Sequence, residues 1–331
     1  MRLLRLVFIA ALLALVAAGA FAWHWLRQPL PLPAIPYGFE VRPGATLSAV
    51  ARQLRDAGVL EYPIALIALG RVEGVDRTIK AGSYEVEAGT TLPQLLAQLT
   101  QGDVTQSSLT IIEGTTFAEL KDALVGTPQL VHSVTALPDA ELRAKLGIGE
   151  TSAEGLFFPD TYFFATGSTD AALLKRARRA LAERLDAGWQ KRAADLPFAT
   201  PYEALILASI VEKETGRAAD RPAIASVFVT RLTRGMRLQT DPTVIYGLGA
   251  SFDGNLHKRD LEADTPYNTY TRDGLPPTPI ALPSQASLDA VLNPPPTPYL
   301  YFVSRGDGTS EFSANLADHN RAVSKYQKGG R

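Results

Sequence analysis

One helix constrains the fold of this chain more than any other segment. Its start is marked by Thr200 as N-cap, Pro201 at the first helical position and Glu203 as capping-box partner, and Gly216 is a natural stop. Between these signals, the stretch from Ala204 to Val211 is apolar on nearly every side. A helix without a polar face has to be surrounded by other elements. We therefore predict a buried helix at the centre of a folded domain.

The last turn of this helix carries two glutamates in different surroundings. At about 100° per residue, Glu212 and Glu214 project to nearly opposite sides, so they do not form a paired dyad. Glu214 lies above Leu207, Ile210 and Val211. A carboxyl group desolvated against such side chains favours its neutral form, which a general acid requires. From the pattern alone, two solvent-exposed charges at a helix C-terminus are the more common arrangement.

The N-terminus is apolar over the length of one helix. Arg2 and Arg5 precede an uninterrupted apolar run from Leu6 to Trp23. A run of this length is at the short end of what crosses a hydrocarbon core, and the basic residues favour a cytoplasmic N-terminus. The sequence from Ala20 to Ala22 also suits signal peptidase, so a cleaved signal peptide is the alternative. We favour a single-pass inner-membrane anchor within residues 1–27, with the body of the protein in the periplasm.

The segment after the apolar run predicts a linker and then a small module. The prolines of residues 28–38 favour an extended spacer. Residues 39–107 then repeat a strand-turn-helix pattern, as Phe39-Glu-Val-Arg-Pro-Gly-Ala-Thr-Leu and as Tyr84-Glu-Val-Glu-Ala-Gly-Thr-Thr-Leu. The pattern predicts a compact α+β module that resembles LysM-like carbohydrate-binding modules, although ordinary turn and cap chemistry explains the spacing equally well. The residues placed to cap the helices are Thr46, Thr91 and Thr116.

Residues 108–331 predict a mixed α+β domain, mostly helical over 108–200 and with its core at 201–331. An aromatic run from Gly155 to Ala165 lacks helical periodicity. Such a run suits either a strip that stacks on sugars or a buried strand, and burial is the more common use. Near the C-terminus, the stretch from Tyr299 to Ser313 predicts a β-hairpin with a Gly-Asp-Gly turn, followed by a short helix.

Three ordered segments in the second half of the chain carry its clearest signature. They are Ala208-Ser-Ile-Val-Glu-Lys-Glu-Thr-Gly, Arg237-Leu-Gln-Thr-Asp-Pro-Thr-Val-Ile-Tyr and Tyr267-Asn-Thr-Tyr-Thr-Arg-Asp-Gly-Leu-Pro-Pro. The likeness continues in Phe158-Pro-Asp-Thr-Tyr and in Thr297-Pro-Tyr-Leu-Tyr-Phe-Val. Together these segments resemble the MltG, or YceG-like, family of endolytic murein transglycosylases over essentially the whole chain.

The resemblance implies a site and a reaction. In that family the catalytic acid is a glutamate of the Glu-Lys-Glu stretch, which the resemblance places at Glu214, with Glu212 as the lesser candidate. The implied reaction cleaves the β-1,4 bond between N-acetylmuramic acid and N-acetylglucosamine (MurNAc and GlcNAc) in peptidoglycan without water, and it leaves a 1,6-anhydroMurNAc end. Endolytic cutting of nascent strands near the membrane and partnership with penicillin-binding synthases are also implied. Further substrate contacts are expected at Glu212, Gln239, Thr240, Tyr267, Asn268, Tyr270, Asn315 and His319.

Several of these residues have a structural alternative. Asp241 and Pro242 form a cap-plus-proline helix start, so Asp241 is predicted to be structural. A hydrogen-bonded structural histidine is the more common role for His319. Each expected contact, taken alone, is more often part of a scaffold, and only the joint recurrence of these residues in the resembled family favours contact with a sugar.

Composition and charge exclude other classes of function. Lysine plus arginine (33) nearly balances aspartate plus glutamate (34), so no global field favours nucleic acid. The absence of cysteine excludes disulfides, thiolate metal sites and a cysteine nucleophile. The other histidines are too scattered for a ligand cluster, so neither a metal nor a cofactor is expected. Two alternatives stay open, a hydrolytic muramidase that uses the same glutamate with water and a non-catalytic, membrane-tethered glycan-binding scaffold.

Overall fold

The structure is a computed structural model that describes residues 2–35, 37–42, 44–102 and 106–327. Pro36 of the predicted linker, Pro43 of the first predicted turn and residues 103–105 near the predicted end of the small module lie outside the described residues. The chain divides into two compact units. One contains the residues up to Ser107 together with Phe163–Ser168, and the other contains Ser108–Tyr162 together with the residues from Thr169 onward.

The first unit begins with a long helix, α1 (Arg2–Leu26). No helix in the described part of the chain is long and apolar enough to cross a membrane. The spanning helix predicted at residues 1–27 stays a prediction.

The rest of the first unit is a small α+β fold. Its elements are β1 (Tyr37–Val41), α2 (Leu47–Asp56), α3 (Pro63–Val72), β2 (Gly82–Val86) and α4 (Leu92–Gln101). The two similar sequence segments form one sheet, because β1 pairs antiparallel with β2 and places Phe39 opposite Tyr84. These rings stack 5.6 Å apart and lie in a core with the apolar faces of the helices. Thr46 caps α2, as predicted.

The remaining chain contains nine further α-helices and four strands among the described residues. In order they are β3 (Gln106–Thr110), α5 (Phe117–Val125), α6 (Asp139–Leu146), β4 (Thr161–Ala165), α7 (Asp170–Gln190), α8 (Pro201–Glu214), α9 (Arg221–Thr233), α10 (Asp241–Leu248), α11 (Lys258–Glu262), α12 (Gln285–Leu292), β5 (Tyr301–Ser304), β6 (Ser310–Ser313) and α13 (Leu316–Tyr326). A short 3-10 helix, Gly249–Ser251, follows α10. Each strand pairs with one neighbour, β3 with β4 and β5 with β6.

Helix α8 is buried at the centre of the second unit, as predicted. Every residue from Ala204 to Val211 is buried, and α7, α9, α10 and α12 pack around the helix. Thr200 Oγ1 accepts a hydrogen bond from the N–H of Glu203. The Glu203 carboxylate reaches the N–H of Ala199 instead of that of Thr200, so the predicted capping box is incomplete. The helix ends at Glu214, two residues before the predicted stop at Gly216.

The aromatic run after Gly155 mainly packs in the core. Phe157 and Phe158 are buried, and Phe157 stacks on Phe117 at 5.2 Å. Gly155 adopts a left-handed backbone with φ of 76°, and a Cβ atom there would lie 2.3 Å from the Cβ of Pro279. Only glycine fits this approach without displacement. Of the two uses that the sequence allowed, burial applies to these two phenylalanines.

The predicted C-terminal hairpin is confirmed. Strands β5 and β6 pair antiparallel with Phe302 opposite Phe312, and the N–H of Arg305 donates to the carbonyl of Thr309 across the turn. Helix α13 follows directly, with Asn315 as its N-cap. Residues of this hairpin and helix line a cleft that also contains Glu214.

Candidate active site

Glu212 lies in a hydrogen-bond network inside the second unit. Its Oε2 accepts hydrogen bonds from the N–H and the hydroxyl of Ser284, at 2.9 and 2.5 Å, and from the hydroxyl of Ser287 at 2.6 Å. Its Oε1 lies 3.4 Å from Nη2 of Arg221, and only 6% of the Glu212 side chain is exposed. Glu212 therefore fastens the end of α8 to the starts of α9 and α12.

Glu214 lies in the wall of a cleft of about 520 Å³. The hydroxyl of Thr240 donates a hydrogen bond to Glu214 Oε1, while Oε2 accepts none from the described residues. Burial raises the pKa of Glu214 to about 7, although the hydrogen bond from Thr240 lowers it. The negative charge of Asp241 raises this pKa further, and the positive charge of Arg231 lowers it. A carboxyl group with a pKa near 7 is able to act as an acid and then as a base in the neutral range.

The segment that supplies Thr240 has an unusual backbone. Gln239, directly before it, adopts a left-handed conformation with φ of 50°. Two hydrogen bonds of 3.1 Å hold this turn, from the N–H of Gln239 to the carbonyl of Thr269 and from the N–H of Thr240 to Thr269 Oγ1. A left-handed residue other than glycine costs roughly 1–2 kcal/mol and is typical of functional sites. The strain is stored where the backbone presents Thr240 to Glu214.

The cleft combines aromatic faces with polar groups. Tyr270 and Tyr301 line it together with Gln239 and His319, all of which lie with Glu214 in the second unit. Aromatic rings give sugar rings an apolar surface, and a few convergent polar groups fix a ligand's orientation. The lining is completed by Phe228, Arg231, Leu238, Asp241, Phe302, Val303, Ser304, Ser310, Leu316, Asn320, Val323 and Gln327.

Arg231 of α9 contributes a fixed positive charge to the cleft. Its side chain is held by the carbonyl oxygens of Leu300 and Leu238, each at 2.7 Å from a guanidinium nitrogen. The guanidinium carbon lies 5.0 Å from the ring centroid of Tyr301. Burial lowers the pKa of Arg231, but an arginine stays charged near neutral pH. The sequence analysis missed this residue, although a basic side chain within the apolar helix α9 is a signal of a paired or functional charge.

His319 of α13 also lines the cleft and stacks on Tyr301. Its ring lies 5.1 Å from that of Tyr301, nearly parallel to it. Burial and the charge of Arg231 lower the pKa of His319, so the ring is neutral at pH 7. Its Nδ1 is buried and has no hydrogen-bond partner in the described part of the chain.

The other predicted contacts do not line this cleft. Tyr267 donates or accepts a hydrogen bond of 2.8 Å with Thr278 and packs edge-on against Tyr246. Asn315 caps α13, where its Oδ1 accepts the N–H of Asp318. Of the predicted residues, the cleft therefore brings together Glu214, Gln239, Tyr270 and His319. Thr240 does not line the cleft but donates a hydrogen bond to Glu214.

Asn268 organises the loop that carries Tyr270. It is 1% exposed, and its amide nitrogen lies within 3.3 Å of three carbonyl oxygens, those of Asp260, Leu261 and Ala263. Its Oδ1 accepts the N–H of Tyr270 at 2.8 Å. A fully used, buried amide is typical of a scaffold residue.

Glu154 is a buried carboxyl group with a raised pKa that lies outside the cleft lining. Glu154 accepts hydrogen bonds from the N–H of Phe117, the N–H of Gly155 and the hydroxyl of Tyr246. Burial raises its pKa to about 7. Among the described residues, no group of three or more His, Asp or Glu side chains is placed to hold a metal ion.

These features define an α+β protein whose central buried helix ends in a carboxyl group of near-neutral pKa at an open cleft. A model of the YceG-like family matches residues 39–325. The chain is 31% identical over 336 residues to the endolytic murein transglycosylase of Bacillus subtilis (strain 168), which covers 94% of this chain and 91% of that protein. It is 27% identical over 357 residues to the endolytic murein transglycosylase of Streptococcus pneumoniae serotype 2, covering 96% of this chain and 64% of that protein.

A solved structure agrees with these matches. The crystal structure of a YceG-like protein from Listeria monocytogenes is similar with a TM-score of 0.55 and 29% identity, over 86% of this chain and 98% of that chain. The chain belongs to the YceG-like family. This confirms the family predicted from the sequence, and the mixed α+β fold class with it.

Proposed function

We propose that this protein is a peptidoglycan lytic transglycosylase that cleaves the MurNAc-β-1,4-GlcNAc bond and leaves 1,6-anhydroMurNAc ends, with Glu214 as acid and then base. The observation that carries the proposal is the Glu214 carboxyl group, which lies in a cleft and has its pKa raised to about 7 by burial. The names of the B. subtilis and S. pneumoniae relatives support the same substrate and reaction.

In the first step, protonated Glu214 donates its proton to the glycosidic oxygen as the bond from that oxygen to C1 of MurNAc breaks. Desolvation supplies the protonated form near neutral pH. The hydroxyl of Thr240 holds one carboxyl oxygen, which restricts the direction in which the side chain presents its proton.

In the second step, the C6 hydroxyl of the same MurNAc attacks C1, and the Glu214 carboxylate accepts its proton. The nucleophile belongs to the substrate, so no second carboxylate is required to activate water. The hydrogen bond from Thr240 and the nearby charge of Arg231 both lower the pKa of Glu214 and thereby favour its carboxylate form at this stage. Glu214 ends the cycle protonated, as it began.

The stacked and polar walls support a glycan as the ligand. Tyr270 and Tyr301 offer ring faces, and Gln239 and His319 offer an amide and a neutral imidazole for hydroxyl and N-acetyl groups. We also propose that the enzyme cuts within nascent strands and works together with penicillin-binding synthases.

The decisive experiment compares wild type with Glu214→Gln on purified peptidoglycan. We expect the variant to lose at least about 100-fold in cleavage rate, the scale on which a general acid contributes. Glu183→Gln, at a side chain 70% exposed on α7, is the matched control and should cleave at the wild-type rate. If Glu214→Gln cleaves normally, Glu214 is not the acid. If wild type binds glycan without cleaving it, the scaffold alternative replaces the enzyme.

The location of the protein is a further part of the proposal. The apolar run from Leu6 to Trp23 in the sequence favours an inner-membrane anchor within residues 1–27 and a periplasmic body. Membrane fractionation of cells that express the full chain or residues 28–331 tests this part. The full chain should stay in the membrane fraction after an alkaline wash, and residues 28–331 should not. If the full chain is instead shortened at its N-terminus and found in the soluble fraction, the segment is a cleaved signal peptide.

A LysM-like role for the first unit is also proposed. Two helices between two paired strands, β1 and β2, support the likeness. Binding of full-length Glu214→Gln to purified sacculi, with and without residues 39–107, tests whether this unit retains glycan. Equal retention by both chains contradicts the proposal.

A further inference from the structure

The start of α10 faces the same cleft as Glu214. Thr240 is the N-cap of this helix, yet its side chain makes no capping hydrogen bond and instead donates to Glu214. An N-cap hydroxyl ordinarily accepts an N–H of its own helix. A local rule broken in this way is typical of a functional site. The helix start is therefore shaped by the site as well as by the fold.

Asp241, the first residue of α10, brings a second carboxyl group to this cleft. Its Oδ1 accepts a hydrogen bond of 2.5 Å from the hydroxyl of Tyr270, and Oδ2 accepts none from the described residues. Asp241, Tyr270 and Glu214 all line the cleft. One oxygen of a positioned anion is thus left for a ligand.

We propose that Asp241 is a second catalytic residue, whose carboxylate contacts the muramyl ring at C1 and stabilises the positive charge that develops there. The inference rests on the proposed function of the cleft. It goes beyond the structural role that the sequence predicts for Asp241, because the carboxylate starts α10 and is also held by Tyr270, another residue of the cleft lining.

The reaction balances without any proton transfer to Asp241. As the glycosidic bond breaks, its electron pair goes to the leaving oxygen, which takes the proton of Glu214, and C1 becomes electron-deficient. A fixed carboxylate beside C1 lowers the energy of this state more than that of the neutral substrate. The C6 oxygen then forms its bond to C1 and returns a proton to Glu214. Asp241 forms no bond and stays ionised throughout.

Asp241 also acts on Glu214 electrostatically. Burial is the main cause of the raised pKa of Glu214, and the charge of Asp241 adds to it. Neutralising Asp241 therefore lowers the pKa of Glu214. The charged or titratable groups that share the cleft with Glu214 are Arg231, Asp241, Tyr270, Tyr301 and His319.

The test measures kcat, KM and the pH profile of glycan cleavage for Asp241→Asn. Asparagine keeps the size of the side chain and an oxygen for Tyr270 but removes the charge. We expect kcat to fall by about 100-fold or more, as for loss of one electrostatic stabiliser, with KM nearly unchanged. The limb on which kcat/KM falls with rising pH should move to lower pH. Asp139→Asn, at a side chain 75% exposed on α6, is the control for net charge and should change neither quantity.

Two further variants separate catalysis from folding. Tyr270→Phe removes the hydrogen bond to Asp241 but not the charge, so it should lose less activity than Asp241→Asn and leave the pH limb of Glu214 closer to the wild-type position. Asp241→Glu restores the charge and should recover part of kcat. If Asp241→Asn keeps kcat within about threefold, or if it loses activity with an unmoved pH limb and a lowered melting temperature, the inference is wrong.

Failure of the inference differs from failure of the proposed function. An inactive Glu214→Gln beside a fully active Asp241→Asn overturns only the role of Asp241. An active Glu214→Gln overturns the proposed function, whatever Asp241→Asn does.

Discussion

Replacing Glu214 by glutamine should stabilise the second unit above neutral pH while it removes the proposed acid. Burial raises the pKa of this carboxyl group from 4.5 to about 7 in the folded protein. Since each pKa unit corresponds to about 1.36 kcal/mol, ionising Glu214 costs about 3 kcal/mol more in the folded protein than in the unfolded chain. Glutamine keeps the oxygen that accepts the Thr240 hydroxyl but never ionises.

The sign of the pH dependence follows from the raised pKa. Below pH 4.5 the carboxyl group is protonated in both states, so it contributes no pH dependence. As the pH rises from 4.5 to about 7, the unfolded chain releases the proton while the folded protein retains it, and wild-type stability falls. Above that range the loss is complete. The advantage of Glu214→Gln should therefore grow across this range and then level off.

Urea unfolding followed by tryptophan fluorescence measures this difference. Trp189 lies on α7 in the second unit, so a Trp23→Phe, Trp25→Phe background makes the signal specific to that unit. The variant should gain about 3 kcal/mol relative to wild type between the two ends of the pH range, and Glu183→Gln should gain nothing. Parallel stability curves for wild type and Glu214→Gln would refute the desolvation of Glu214.

Three further substitutions test the surroundings of the site. Glu212→Gln should lower the free energy of unfolding by about 3–5 kcal/mol in a urea titration, because it leaves the buried charge of Arg221 without its partner. A loss below about 1 kcal/mol contradicts the hydrogen-bond network of Glu212. Gln239→Asn should keep or raise the melting temperature, since asparagine tolerates φ of 50° better, and should lower kcat; unchanged kcat removes Gln239 from the site. Gly155→Ala should cost about 2–4 kcal/mol, from its φ of 76° and the contact with Pro279; an unchanged melting temperature contradicts that close approach.

Local patterns predicted the secondary structure around the site well. The apolar stretch from Ala204 to Val211 identified α8 as the buried central helix, and Thr200 and Pro201 marked its start. The hairpin of β5 and β6 followed from its turn residues. These signals are local because caps, turns and apolar periodicity depend on neighbours within a few residues.

The hydrogen-bond partners of the two glutamates could not be predicted from such local signals. The sequence ranked Glu214 above Glu212 from apolar neighbours on the same helix, but the side chains that separate their roles come from distant segments. Ser284 and Arg221 form hydrogen bonds with Glu212, whereas Thr240 forms one with Glu214. No pattern within one helix reports a hydrogen bond to a residue 72 positions away.

The loop residues of the family signature were the least predictable. Tyr270 and Asn268 are two residues apart, yet one lines the cleft and the other is buried under three carbonyl oxygens. An irregular loop has no periodicity that separates an inward from an outward side chain. Residues 163–168 similarly belong to the first unit, although the predicted boundary placed them in the second domain.

Digestion of purified glycan strands in water labelled with heavy oxygen tests the central claim most directly. If the C6 hydroxyl of the substrate attacks C1 and gives its proton to the Glu214 carboxylate, mass spectrometry should find anhydro ends without label from wild type and no products from Glu214→Gln. Labelled reducing ends, or undiminished cleavage by Glu214→Gln, would contradict it.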